Sequence, residues 1–317
     1  MVKEIFEALS ASLTSRDGAK RDFLALLNSF KAKVGQKVYF YGSCDITNRC
    51  NLHCKHCYWQ ENCIEEEELS KERFEDIIEK KFIENNIIQV VLTGGEPLLR
   101  PEIIELFKDK GMSFDIVTNG TLPLKDFGQS EYFISIDGNE EIHNKIRGEE
   151  IYSRIKSNVE NFTGDSNLII NYTINSLNYR CIEEVFEEWE GLVDMINFQF
   201  HTPFSYDDGL WIPYGKKRDA IIKKIKRLKR KYPYKSYNTE KQLDLLGTNH
   251  WTENCPNWAF LSLDHKGNRK TPCFIGSSGS GKKPICERCG MCETAGMFSG
   301  IFQGDTEWFE VRKRLEM

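Results

Sequence analysis

No stretch of this 317-residue chain approaches the ~18 consecutive uncharged apolar residues that a membrane-spanning helix needs, so no transmembrane segment is expected. The first 13 residues mix Lys3, Glu4 and Glu7 with apolar side chains and lack the basic, then apolar, then small-residue order of a secretory signal. Neither sign of charge prevails. With 43 Lys and Arg against 48 Asp and Glu, the net charge of −5 argues against a nucleic-acid partner drawn in by the whole surface. Apolar residues are not scarce, and 40% hydrophobic with 29% charged excludes a disordered chain. The expectation is a cytoplasmic protein of one large fold or two joined modules, with room for a sizeable core.

What the chain does have is cysteine. Eleven in 317 residues are too sparse for a disulfide scaffold, and closely spaced thiols in a reducing compartment are more often a metal framework.

Between the cysteine clusters the pattern is α/β. Residues 37–46, 87–92, 114–118, 132–136, 167–174 and 195–201 read as strands. Helical spacing marks 69–83, 101–107, 151–162, 181–189 and 216–231. Strands alternating with helices favour a mostly parallel sheet, whose working residues gather at the C-terminal strand ends. The polar and Gly-rich signals sit there: Gly94-Gly95-Glu96-Pro97, Asn119-Gly120 and Asp137-Gly138.

Cys50, Cys54 and Cys57 place three thiols within eight residues, directly after the first strand. A zinc site would need a fourth ligand, from His53, His56 or Cys63; a four-iron cluster held by three thiolates would instead keep one iron open for a substrate or cofactor. Spacing alone leaves both readings standing.

The Cys-x3-Cys-x2-Cys triplet, followed about 37 residues later by Gly94-Gly95-Glu96-Pro97, resembles the radical S-adenosylmethionine (SAM) enzymes over roughly residues 38–205. The resemblance implies a partial (β/α)6 TIM-like barrel. It implies that Cys50, Cys54 and Cys57 hold a [4Fe–4S] cluster whose fourth iron binds the amino and carboxylate groups of SAM. Gly94, Gly95, Glu96 and Pro97 would receive the SAM amino group, with Glu96 making the contact. Asn119 and Ser135 would face the methionyl and ribose parts, Arg147 the carboxylate, and His56 or Tyr58 the adenine. Ordinary turn chemistry is the competing reading of Asn119 and Ser135.

Cys255, Cys273, Cys286, Cys289 and Cys292 form the second set, brought together by an expected hairpin through 261–268 with Gly267 at its turn. Four thiols and a spare suit a closed [4Fe–4S] cluster or a zinc ribbon. The set resembles the Twitch and SPASM extensions that hold auxiliary clusters. Two cubanes would need about eight thiolates, so a single-cluster, Twitch-like extension fits better. Cys44, Cys63 and Cys181 are expected to be inert thiols. The helix at 216–231 carries ten basic residues and one acid, read first as a solvated face and otherwise as a surface for an acidic substrate, lipid or RNA. Glu65 to Glu68 is an acidic run of the same ambiguous kind, and His201 either faces the cavity or is structural.

The expected organisation is a helical segment at 1–36, a radical SAM core at 37–235 and an auxiliary-cluster domain at 236–317. The expected partners are an electron donor such as ferredoxin or flavodoxin and a peptide or protein substrate, with a small molecule or lipid intermediate as the alternative. A metal-binding module without catalysis is the contrasting class. No residue is singled out as the catalytic group.

Overall fold

Short runs rich in Val, Ile, Phe and Thr form parallel strands, and the segments between them mostly form helices. The computed structural model describes residue 28 and residues 38–58, 67–128, 130–277, 282–305 and 307. The strands are β1 (Tyr41–Thr47), β2 (Gln89–Gly94), β3 (Ser113–Thr118), β4 (Ser130–Ser135), β5 (Asn167–Ile174), β6 (Met195–Phe200) and β7 (Phe260–Leu263). They form one sheet in the order β6-β5-β4-β3-β2-β1-β7, parallel throughout.

The helices are α1 (Lys71–Ile77), which runs on as a π-helix over Ile78–Ile83, α2 (Pro101–Asp109), α3 (Glu140–Arg147), α4 (Ile151–Glu160), α5 (Ile182–Trp189), α6 (Lys216–Lys231), α7 (Glu240–Leu246) and α8 (Cys292–Gln303). Among the described residues no helix is long and apolar enough to cross a membrane. The expected helical segment at 1–36 lies outside the described residues, apart from Asn28.

The two faces of the sheet differ in chemistry. Side chains alternate along a strand. Val90, Leu92, Phe114, Ile116, Tyr132, Ile134, Ile170, Tyr172, Ile196 and Phe198 join the main core beneath the helices. The alternate set is mixed: Gln89, Thr93, Asp115, Ser135, Asn171, Thr173, Asn197 and Gln199 line a single cavity together with Val91, Val117 and Phe133. Phe200 of edge strand β6 and Phe260 of edge strand β7 line it too, so the sheet curls around it. Parallel strands buried on both faces read as continuous apolar runs; the polar alternation here marks an interior that is not core.

One sequence expectation changes and one is extended. Among the described residues no helix joins β3 to β4, where Thr121 N–H donates to Asn119 Oδ1 at 2.9 Å and Gly128 N–H to Asp126 Oδ1 at 2.9 Å, turning the chain by side-chain contacts. The hairpin at 261–268 keeps its turn, with Asp264 Oδ1 accepting from Lys266 and Asn268 N–H and Gly267 at φ 78°. Its first strand, however, pairs with β1 and covers what would otherwise be an open edge.

The gap between β6 and β7 is closed by the C-terminal segment. Phe200 N–H donates to Gly290 O at 2.9 Å, Gly290 N–H to Thr202 Oγ1 at 2.9 Å and Ile285 N–H to Pro203 O at 2.9 Å, while Met297 of α8 packs on Ala259 and Phe260. A Cβ at Gly290 would stand 2.1 Å from Phe200 O. Gly290→Ala is therefore expected to lower the unfolding free energy by about 1–3 kcal/mol in urea titration. Gly191→Ala, where nothing lies within 4 Å of the added carbon, is the control and should leave it unchanged.

Candidate functional site

The cysteine loop is fixed at its entrance by backbone. Thr47 pairs with Gly94 across β1 and β2, Gly95 N–H donates to Thr47 O at 3.0 Å, and Glu96 N–H donates to Arg49 O at 2.8 Å. A Cβ on Gly94 would lie 2.3 Å from Thr47 O and one on Gly95 2.0 Å from Arg49 O, and Gly94 holds φ at 127°. Only glycine lets the two segments touch. Glu68, from the acidic run, ties the loop from outside: it accepts from Thr47 Oγ1, Asn48 N–H and Arg49 Nε, and Arg100 Nη1 lies 3.0 Å from it. Glu65 and Cys63 lie outside the described residues.

Glu96 is fully buried. Its carboxylate accepts from Leu98 N–H at 3.0 Å, Thr118 Oγ1 at 2.7 Å and Asn119 N–H at 2.8 Å, so it clamps the end of β2 to the end of β3. Burial pushes its carboxyl above the usual range even against these donors. Asn119 reaches back to the loop, donating to Asn51 Oδ1 at 2.9 Å, with Cys50 Sγ at 4.0 Å.

A charged network meets Cys54 from the other side. Arg147 Nη1 is 4.0 Å from Cys54 Sγ, and its Nε pairs with buried Asp137, whose Oδ2 also lies 3.3 Å from His56 Nε2. Asp137 N–H donates to His143 Nδ1 at 3.1 Å. Burial would raise the Asp137 carboxyl, but Arg147, then His56 and His143, hold it below the usual carboxylate range. Burial pushes His56 down to about 4 and His143 down to about 3, so both imidazoles are neutral at neutral pH. The Cys50 thiol is pushed up to about 11 by burial, and Cys54 is raised for the same reason. Metal binding at these sulfurs would therefore release protons.

Cys50, Cys54, Cys57, His56, Tyr58, Gly94, Gly95, Asn119, Ser135 and Arg147 all line the one cavity, of about 260 Å³. Glu96 and Pro97 are buried behind its wall. Tyr58 stacks on Phe204 with ring centroids 5.9 Å apart. His201 also lines the cavity and is held by Asp208 at 2.8 Å. Among the described residues no three His, Cys, Asp or Glu side chains gather around one point as ligands of a single ion. His53 is exposed, and His56 turns to Asp137. Three thiols on one loop, facing one cavity with a guanidinium beside them, fit a thiolate-held cluster with an open corner.

Residues 45–187 match the family model described as the radical SAM superfamily. The chain carries a radical SAM domain. A 34% identical relative over 156 residues is the Fe-coproporphyrin III synthase of Methanosarcina barkeri, matched over 45% of this chain and 39% of the relative. The subtilosin biosynthesis protein AlbA of Bacillus subtilis is 33% identical over 116 residues, 33% of this chain and 26% of AlbA. The chain thus spans less than half the length of either. Among solved structures, Streptococcus suis SuiB bound to S-adenosylmethionine superposes with a TM-score of 0.62 at 14% identity, over 90% of this chain and 73% of SuiB. SuiB bound to precursor peptide SuiA gives 0.61 at 12% identity, over 88% and 68%.

Beyond the radical SAM domain, Cys255, Cys273, Cys286 and Cys289 lie near enough to one another to act electrostatically, though not gathered as ligands of a single ion. Cys255 is pushed to about 12 by burial and then by the charges of Cys289, Cys273 and Cys286, and Cys273 to about 12 by burial with Cys289 and Cys286 adding. Asn257 Nδ2 donates to Pro272 O at 2.9 Å and Cys289 N–H to Cys286 O at 3.0 Å, holding the segments in place. All four are raised, first by burial, so they stand as neutral thiols at neutral pH and would release protons on binding a metal as thiolates. Cys292 is placed differently: buried at the start of α8, its Sγ accepts from Asn197 Nδ2 at 3.1 Å and it lines the main cavity. Cys44 and Cys181 are buried in the main core.

The basic helix α6 is largely matched by acids. Lys224 and Arg227 pair with Glu183 and Lys231 with Glu187 on α5, while Lys226 reaches Glu240 and Asp244 and Arg230 reaches Glu240 on α7. Sequence reading missed Asp137, although it lies in the quoted Ser135-Ile136-Asp137-Gly138, and it missed Glu68 as a tie to the loop.

The depressed His143 pKa has a testable sign. Below about 6.5 the unfolded chain takes up a proton that the folded chain refuses down to about 3, so stability present at neutral pH is lost as pH falls. Between pH 7 and 5.5 this amounts to about 1 kcal/mol. His143→Asn, whose Oδ1 can accept the Asp137 N–H, should remove that share of the pH dependence in urea unfolding. Equal acid loss in both proteins would reject it.

Proposed function

We propose that the chain is a radical SAM enzyme built on a partial (β/α)6 barrel at 37–235, extended at 236–317 by a Twitch-like auxiliary-cluster region that lends β7 to the same sheet. The observation that carries this reading is the meeting of both motifs, separated by about 37 residues in sequence, on one cavity wall through glycine-only backbone contact.

In this reading Cys50, Cys54 and Cys57 hold a [4Fe–4S] cluster. With SAM bound, that group supplies a 5′-deoxyadenosyl radical able to abstract hydrogen from a substrate. The rest of the work belongs to the chain. Arg147, kept charged by Asp137, offsets the thiolate charge and faces the carboxylate of SAM; the Gly94 and Gly95 backbone, with Asn119 and Ser135, lines the cofactor's path. Tyr58, braced by Phe204, or His56 offers a ring to adenine. Glu96 clamps β2 to β3 through three protein donors, and the acceptor site left on its Oε2 is the one that would meet the amino group of SAM. Cys255, Cys273, Cys286 and Cys289 hold the auxiliary [4Fe–4S] cluster, and Cys292 is the spare thiol. An electron donor of the ferredoxin or flavodoxin kind, and a cytoplasmic setting, follow from this chemistry.

For the substrate we favour a peptide or protein. Support comes from the precursor peptide bound to SuiB, from AlbA's part in making a bacteriocin, and from the amide side chains on the inner wall, which suit peptide groups. The small-molecule reading keeps support from the Fe-coproporphyrin III synthase relative. The cationic helix lends it less weight, because its charges are matched by α5 and α7.

Anaerobic reconstitution should load about eight irons per chain. Replacing Cys50, Cys54 and Cys57 by Ala together should remove about half and abolish formation of 5′-deoxyadenosine from SAM. Cys286→Ala or Cys289→Ala should lose the other half and keep that cleavage. Iron and sulfide analysis with product chromatography reads both; four irons untouched by the triple change would sink the assignment of the first cluster.

A further inference from the structure

Arg218, in the first turn of α6, is fully buried, and two of its nitrogens have nothing to donate to. Nη1 donates to Ile212 O at 3.2 Å, while Nε and Nη2 are without a hydrogen-bond partner, and no carboxylate pairs with it among the described residues. A buried cation left this way is costly unless an anion completes it. Its neighbours point to which anion. The guanidinium lies 4.0 Å above the Phe200 ring and 4.4 Å from that of Tyr214. Both residues bond to the backbone of the second cysteine set, Tyr214 through its ring hydroxyl, which donates to Cys289 O at 3.2 Å, and Phe200 through its backbone N–H, which donates to Gly290 O at 2.9 Å. Trp211, edge-on to Tyr214 at 5.9 Å, adds a second buried donor without a partner, its Nε1. Burial draws the Arg218 pKa down to about 10, opposed by Tyr214 and Cys289.

We infer that Arg218 is a positioning residue for the group held by Cys255, Cys273, Cys286 and Cys289, supplying the buried positive charge and N–H donors that stabilise that group's anionic form and raise its reduction potential. The inference rests on the auxiliary-cluster reading above. A four-thiolate cluster is a net anion and gains a further negative charge on one-electron reduction, so a fixed cation favours the reduced form, as do hydrogen bonds to the sulfurs.

The test uses the full chain with Cys50, Cys54 and Cys57 replaced by Ala, so that the second site holds the remaining iron. Potentiometric titration followed by EPR gives its midpoint. Arg218→Met should lower the midpoint by at least 59 mV, a tenfold loss in the one-electron equilibrium. Arg218→Lys, which keeps the charge, should stay closer to the parent. Loss of the four irons in Arg218→Met with retention in Arg218→Lys would also support a charge role. Four irons with an unchanged midpoint in Arg218→Met would overturn it, and so would iron loss in both variants, since packing would then be what Arg218 provides. One zinc and no iron in the parent would overturn the auxiliary-cluster reading, and this inference with it, before any change at Arg218.

Discussion

The contact of backbone on backbone between residues 47–49 and Gly94-Gly95 is the constraint from which the site follows. Two hydrogen bonds, Gly95 N–H to Thr47 O and Glu96 N–H to Arg49 O, fix where the cysteine loop leaves β1. Any side chain larger than hydrogen at 94 or 95 would force the loop away. Once these segments touch, Glu96 must point inward. It then meets Thr118 and Asn119, and Asn119 returns to Asn51 beside Cys50. Three strand ends and one loop thus close a ring of contacts in which each member has its position set by the next.

Charge is managed in the same economical way. Asp137 and Asp45 are both wholly buried, and each is met by a cation: Arg147 for the first, Lys270 at 2.7 Å for the second. Breaking either pair would leave a buried charge uncompensated, which typically costs about 3–5 kcal/mol. The Asp45–Lys270 pair also joins β1 to the stretch between Cys255 and Cys273. The radical SAM domain and the C-terminal region are therefore coupled by a desolvated ion pair as well as by strand pairing.

The site was more legible in the sequence than the architecture around it. Short-range signals led to residues that share one space: the Cys triplet, the glycine pair and Asn119 line the same cavity, and strands β1 to β6 fall within a few residues of their expected places. What failed to show depended on partners distant in sequence. Helix α3, capped by Asn139, has only eight residues and buries only His143 and Ile146, too few to mark a helical period. The strand at 260–263 does turn back on itself, Lys270 N–H donating to Ser262 O at 2.8 Å, but its other neighbour, β1, lies more than 200 residues earlier in the chain and leaves no local signal. Spacing does not separate Cys286, Cys289 and Cys292, which are evenly placed; the fold does distinguish Cys292, which a helix start turns inward to Asn197. Asp137 looked like a turn residue until α3 brought Arg147 and His143 against it.

The C-terminal segment does more than carry thiols. Residues 284–303 fill the opening between β6 and β7, and Met291, Cys292, Glu293 and Met297 line the cavity that Cys50, Cys54 and Cys57 also face. A ligand in that cavity would touch both parts of the chain at once, which a detached docking module would not allow. On the proposed ligation, Cys286 and Cys289 sit just before the residue whose carbonyl accepts from Phe200, the last residue of β6. Folding free energy supplied by the metal would then be felt at the cavity wall, because the strand edge and the thiol loop share that hydrogen bond. The second site therefore shapes the space in which the first would act, whatever it contributes in electrons.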